Sequence, residues 1–132
     1  MTGPERTYPD PTINLETEHY WAAAKSGDLV LKTCNGCGKP HFYPRAICPH
    51  CMSDDTVWTT ASGRGEIYSY SITRRAEIPY VIAYVTLAEG VTMMTNIVDC
   101  DLDDLQIGQA VEVTFRQTVG GQALPVFRPV SA

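Results

Sequence analysis

The stretch Cys34-Asn-Gly-Cys37-Gly-Lys-Pro-His-Phe-Tyr-Pro-Arg-Ala-Ile-Cys48-Pro-His-Cys51 contains two CxxC pairs separated by ten residues. Each pair can present two thiolates from one tight turn, and two such turns complete the tetrahedral shell of a single ion. Gly36 and Gly38 are small enough to let backbone N–H groups turn back toward the sulfurs and offset part of their charge. Four thiolates leave no open position for water, so the spacing predicts one structural zinc on Cys34, Cys37, Cys48 and Cys51. The same donor set also accepts iron, which would give a coloured, reducible protein. Dithiol exchange is a poorer fit, because it needs one CxxC and this chain places two at ribbon spacing.

Around this stretch, Asp28 to Thr33 reads as a strand entering the first pair, and Pro40 to Pro44 as its return before the second. Residues 28–60 are therefore expected to form a zinc ribbon, with the polar segment Met52 to Thr60 connecting it onward. On the N-terminal side, residues 1–27 read as an arm and a helix. Three prolines within residues 1–13 suggest an extended arm. Asn14 is a capping residue for a helix from Leu15 to about Ser26, stopped at Gly27, with Tyr20, Trp21 and Ala24 as its apolar stripe.

Residues 61–132 change to repeated strands, expected at 66–74, 80–87, 91–98, 110–117 and 123–128. Glu89-Gly90 and Gly120-Gly121 supply turns, and Asp101 to Leu105 a helical turn between the third and fourth strands. Five short strands with that interruption fit an OB-fold barrel, although the strand number alone also fits other small barrels. Val111, Val113 and Phe115 should point inward and Glu112, Thr114 and Arg116 outward. Tyr80 to Leu87 is apolar on both faces, so it is expected to be central or covered. The fold class is mainly β with a short N-terminal helix.

Fifteen acidic against ten basic residues give a net charge of -5, and no cluster of lysines or arginines is long enough to track a phosphate backbone. That disfavours nucleic acid as a partner. No apolar run approaches the roughly 20 residues needed to cross a bilayer, so no membrane is expected. The start MTGPERTYPDPTIN lacks the apolar core of an export signal, which makes the cytosol the expected compartment.

Other reactive side chains are better explained without chemistry. His41 and His50 lie between ligands of an already complete shell, and His19 sits on the expected helix with no acid or nucleophile around it. Cys100 lies between Asp99 and Asp101, whose charges weaken a thiol as a nucleophile. No nucleophile elbow, phosphate loop or metal-hydrolase signature occurs. An independent enzyme is not expected. Tyr68 and Tyr70 alternate onto one face of the first barrel strand, with Arg74 and Arg75 at its end, a pattern able to stack bases. A single-stranded nucleic-acid module is therefore the alternative reading, and barrel packing the plainer one.

From about Tyr20 to Phe127 the sequence resembles the zinc-ribbon/OB-fold family associated with acyl-CoA enzymes. The resemblance rests on Tyr20-Trp21, the cysteine pairs with Phe42-Tyr43-Pro44-Arg45 between them, and Gly63-Arg64-Gly65-Glu66-Ile67-Tyr68-Ser69-Tyr70. Pro79-Tyr80-Val81-Ile82-Ala83, Thr95-Asn96-Ile97-Val98 and Ile107-Gly108-Gln109 extend it. It implies a rubredoxin-like ribbon and an OB-fold acting as a non-catalytic accessory subunit. The implied partner is a thiolase-like or lipid-transfer-type thiolase or aldolase, whose acyl-CoA site the subunit helps to complete. Lys39, Arg45, Arg64 and Arg74 are the cations available to CoA phosphates under that reading.

Overall fold

The computed structural model describes residues 6–130. The strand entering the first cysteine pair is β1 (Val30–Cys34), preceded by α1 (Glu18–Lys25). It pairs on one side with β2 (Pro40–His41) and on the other with β3 (Thr56–Thr60), in the order β2-β1-β3. Two expectations are corrected here. The return strand is confined to Pro40 and His41, because Pro40 itself and Pro44 just beyond supply no backbone N–H to a ladder. Residues 52–60 are not simply a connector, since Thr56 to Thr60 pair with β1 from Cys34↔Thr56 to Val30↔Thr60. Their polarity hid a β-branched and aromatic run of high strand propensity, Thr-Val-Trp-Thr-Thr.

The helix begins at Glu18 rather than at Leu15. Asn14 instead closes the turn before it: its side-chain oxygen accepts the Thr17 N–H at 3.2 Å and its carbonyl the Glu18 N–H at 2.9 Å. Tyr20, Trp21 and Ala24 are buried, as the apolar stripe requires. Trp21 Nε1 donates to Tyr43 Oη at 2.9 Å, which joins the helix to the segment between the cysteine pairs.

The second sheet is a closed five-stranded barrel of OB type. Its strands are β4 (Arg64–Thr73), β5 (Tyr80–Leu87), β6 (Thr92–Ile97), β7 (Ala110–Gln117) and β8 (Ala123–Pro129), in the order β4-β5-β6-β8-β7. Ile67, Val81, Val85, Val111 and Phe127 fill its interior. Asp101 to Leu105 makes one turn, closed by the Asp104 N–H on the Asp101 carbonyl at 3.0 Å. Gly121, at φ 89°, takes the position between β7 and β8 that a Cβ would strain. Closure is uneven: β7 and β8 pair from Val111↔Pro129 to Gln117↔Ala123, whereas β6 meets β8 through the single parallel pair Ile97↔Phe127.

Inward and outward faces depart from expectation at two strands. On β7 only Val111 is fully buried; Val113 and Phe115 are half-buried, as are Glu112, Thr114 and Arg116. The strand leaves its outward side chains partly covered by ion pairing, as in Arg128 Nε to Glu112 Oε2 at 3.0 Å. On β5 the inner row Val81, Ala83, Val85 and Leu87 is buried, but the outer row is not covered: Ile82 is 37% and Tyr84 46% exposed.

The N-terminal arm lies on the barrel from Arg6 onward, and residues 1–5 fall outside the described residues. Tyr8 is buried and its carbonyl accepts the Val119 N–H at 3.0 Å. The Asp10 carboxylate accepts from Thr118 Oγ1 and from the Gly120 N–H at 2.9 Å, closing the arm over the β7–β8 turn. Gln122 Nε2 donates to the carbonyls of Trp21 at 2.9 Å and Ala123 at 3.0 Å, so one buried amide ties α1 to the start of β8. Among the described residues no helix is long and apolar enough to cross a membrane.

Candidate functional site

The ligating atoms of Cys34, Cys37, Cys48 and Cys51 all lie within 4.8 Å of one another. The two CxxC turns are built alike. The Gly36 N–H points to Cys34 Sγ and the His50 N–H to Cys48 Sγ, each at 3.3 Å. The Gly38 N–H bonds the Cys34 carbonyl at 2.8 Å, and the Met52 N–H bonds the Cys48 carbonyl at 2.9 Å. Gly38 was expected to serve a sulfur; it serves the turn instead. Both residues sit in the left-handed region, Gly38 at φ 75° and Met52 at φ 68°.

The donor set fits a thiophilic dication. The Cys37 backbone N–H leads the influences that lower the Cys34 thiol to about 7. Cys51, although the Ser53 N–H favours its thiolate, is pushed up to about 12 by the Cys34 sulfur, by burial and by the other two thiols. The neighbouring thiols thus ease the ionisation of Cys34 and oppose that of Cys51, and a divalent ion at their centre favours the thiolate at each. Such a centre is closed by four protein sulfurs and offers no site for a reacting water.

The histidines take no part in the cluster. His50 is exposed beside it. His41 is buried, its Nε2 accepts the Arg45 N–H at 3.2 Å, and burial leads the influences that hold it below the usual imidazole range. His19 is exposed and its ring lies 4.7 Å from that of Trp58. Cys100 is half-buried, with its thiol pushed up by burial and by Asp101 and Asp99.

The stacking pair is separated by a bulge. The β4–β5 register shifts between Ile67 and Ser69, so Tyr68 is the extra residue and stands 65% exposed. Tyr70 pairs with Ala83 of the inner row and its hydroxyl donates to the Leu105 carbonyl at 2.9 Å. The two rings therefore do not share one exposed face, and no pattern in the sequence marks a bulge made of ordinary residues. Nor do the four cations converge. Arg64 opens β4 and Arg74 follows its end, Arg45 pairs with Glu16 at 3.6 Å, and Arg74 pairs with Asp103 at 3.2 Å. Lys39 is exposed at the ribbon.

A feature that the sequence reading missed lies between the two sheets. A groove of about 670 Å³ is walled by Tyr20, Trp21, Phe42 and Tyr43 and floored by Tyr80, Ile82, Tyr84 and Met94. The wall rings meet one another at 4.9 to 5.7 Å, mostly edge to face, and burial pushes the Tyr20 phenol above its ordinary range. The two apolar faces of β5 were the signal for it, read as cover rather than as an open surface.

A family model described as "ChsH2, rubredoxin-like zinc ribbon domain" matches residues 21–57, and "ChsH2, C-terminal OB-fold domain" matches residues 58–116. A "DUF35 domain-containing scaffold protein" of Methanocaldococcus jannaschii is 38% identical over 67% of this chain and 68% of that protein. This chain belongs to the DUF35 family. Its DUF35 relatives differ in length and name. A "Probable enoyl-CoA hydratase alpha subunit" of Thermomonospora curvata is 36% identical over 96% of the chain, which spans only 41% of that protein. The solved structure "Ltp2-ChsH2(DUF35) aldolase" superposes with a TM-score of 0.80 at 36% identity, over 91% of this chain and 98% of that one. The DUF35 chain thus carries both modules of the family, ribbon and barrel, with all four cysteines in place.

Proposed function

We propose that this protein is a non-catalytic accessory subunit that docks on a thiolase-like or aldolase enzyme and helps form its acyl-CoA site. The carrying observation is the likeness, over nearly the whole ChsH2(DUF35) chain, to the aldolase named Ltp2-ChsH2(DUF35). The closed four-sulfur cluster agrees with it, because a zinc held there by Cys34, Cys37, Cys48 and Cys51 would shape the ribbon without meeting substrate. In that role the ribbon and barrel present a fixed surface, and the partner supplies the reacting groups.

A CoA thioester would be shared with the partner. Of the cations named for its phosphates, Arg45 and Arg74 are engaged with Glu16 and Asp103. Lys39 and Arg64 are exposed and carry no ion pair among the described residues, so they have the stronger claim.

The test is co-expression with the thiolase-like gene nearest in the genome, followed by size exclusion and an acyl-CoA turnover assay. The two proteins should co-elute, and the partner alone should be less soluble or at least tenfold less active, a loss of about 1.4 kcal/mol in the barrier. A partner equally soluble and active alone overturns the proposal.

A further inference from the structure

We infer that the groove between α1 and the outer faces of β5 and β6 binds a small apolar carboxylate, with Arg6 as its anion-binding group. This goes beyond the docking role and does not depend on it. The groove's volume, about 670 Å³, lies within the range of small-molecule sites. Its floor is apolar and open: Met94 is 60% exposed beside Ile82 and Tyr84, on the outer face of strands that a monomeric barrel would ordinarily dress in polar groups.

Arg6 sets the charge of the ligand. Among the described residues it is the one charged side chain that lines the groove, in a protein of net charge -5. Its guanidinium lies 3.9 Å from the centre of the Tyr80 ring and 5.0 Å from that of Tyr8. One nitrogen donates to Asn96 Oδ1 at 3.2 Å, and Asn96 Nδ2 in turn donates to the Val81 carbonyl at 2.8 Å, which fixes the amide. No carboxylate among the described residues pairs with Arg6. A guanidinium carries five N–H donors in a planar fork matched to a carboxylate, so a cation held by two rings and one amide retains donors for a ligand. A lone cation on an apolar floor suits one carboxylate with a hydrocarbon body. A polyanionic strand or a nucleotide would need several.

The test uses the full chain with methionine methyl groups labelled with carbon-13, titrated with dodecanoate and, separately, with dodecanol. Met94 lines the groove, and exposed Met52 on the ribbon serves as an internal reference. Dodecanoate should shift the Met94 methyl saturably and leave Met52 in place. Arg6→Gln should weaken dodecanoate about tenfold and leave dodecanol within twofold, as expected for loss of a charge-assisted contact. Tyr84→Glu, on the floor, should weaken both ligands. An unmoved Met94, methionines that all move together, or an Arg6→Gln variant that binds dodecanoate as tightly as the parent would each overturn the assignment.

Discussion

Gly38 and Met52 occupy equivalent places, each just after the second cysteine of its pair and each at positive φ. The cost of that conformation falls only on the side chain that has a Cβ. Gly38→Ala should therefore destabilise the zinc-loaded protein by about 1 kcal/mol, although nothing lies within 4 Å of the added Cβ. Met52→Gly should instead stabilise it by a few tenths of a kcal/mol. Chemical denaturation of both variants, monitored from the ribbon, checks the opposite signs. The cluster itself was legible because its information is local: four cysteines at fixed spacing need only two tight turns to converge. The conformation of Met52 was not, because methionine carries no turn signal. The stacking of Arg6 on Tyr80 joins residues too distant in the chain for any spacing rule.

Elements were legible where an apolar, β-branched run ended in turn residues, as in the span of β5, and obscure where polarity and propensity conflicted, as in β3. The contacts between elements rest on few polar groups. Gln122 is buried and spans α1 and β8 through two carbonyls, so Gln122→Leu should cost about 1–3 kcal/mol in urea denaturation by removing both of those hydrogen bonds. The arm responds to pH. The Thr118 hydroxyl and then the Gly120 N–H hold the Asp10 carboxyl below its ordinary value of 3.8. A lowered folded-state value means that the carboxylate contributes stability fully above the ordinary value and loses it as pH falls through the folded one. Amide exchange at Val119 and Gly120 should accelerate in that acidic window, and Asp10→Asn should remove the acceleration.

At the scale of the whole molecule, the two sheets share no ladder among the described residues, where the strands of the ribbon pair among themselves and those of the barrel likewise. The ribbon has little apolar interior beyond Leu29, Val30, Leu31 and what α1 covers, so the ion is expected to supply much of its order. Removal of zinc with a chelator should expose residues 34–57 to proteolysis while the barrel fragment resists, as followed by mass spectrometry of limited digests. Loss of both sheets together would show that the ribbon supports the barrel as well. The presence of a ribbon and a barrel could be read from their patterns; the groove between them could not, because it is made by how the two pack. The one-pair junction of β6 with β8 then sets where this molecule breathes. A ring of staves held by one pair at one joint, against three or more at every other, loosens at that joint first, without unfolding. Native-state exchange at the β6 amides that are not bonded to β5 should thus outpace the paired amides of the barrel, and an occupant of the adjoining groove would act as the missing hoop.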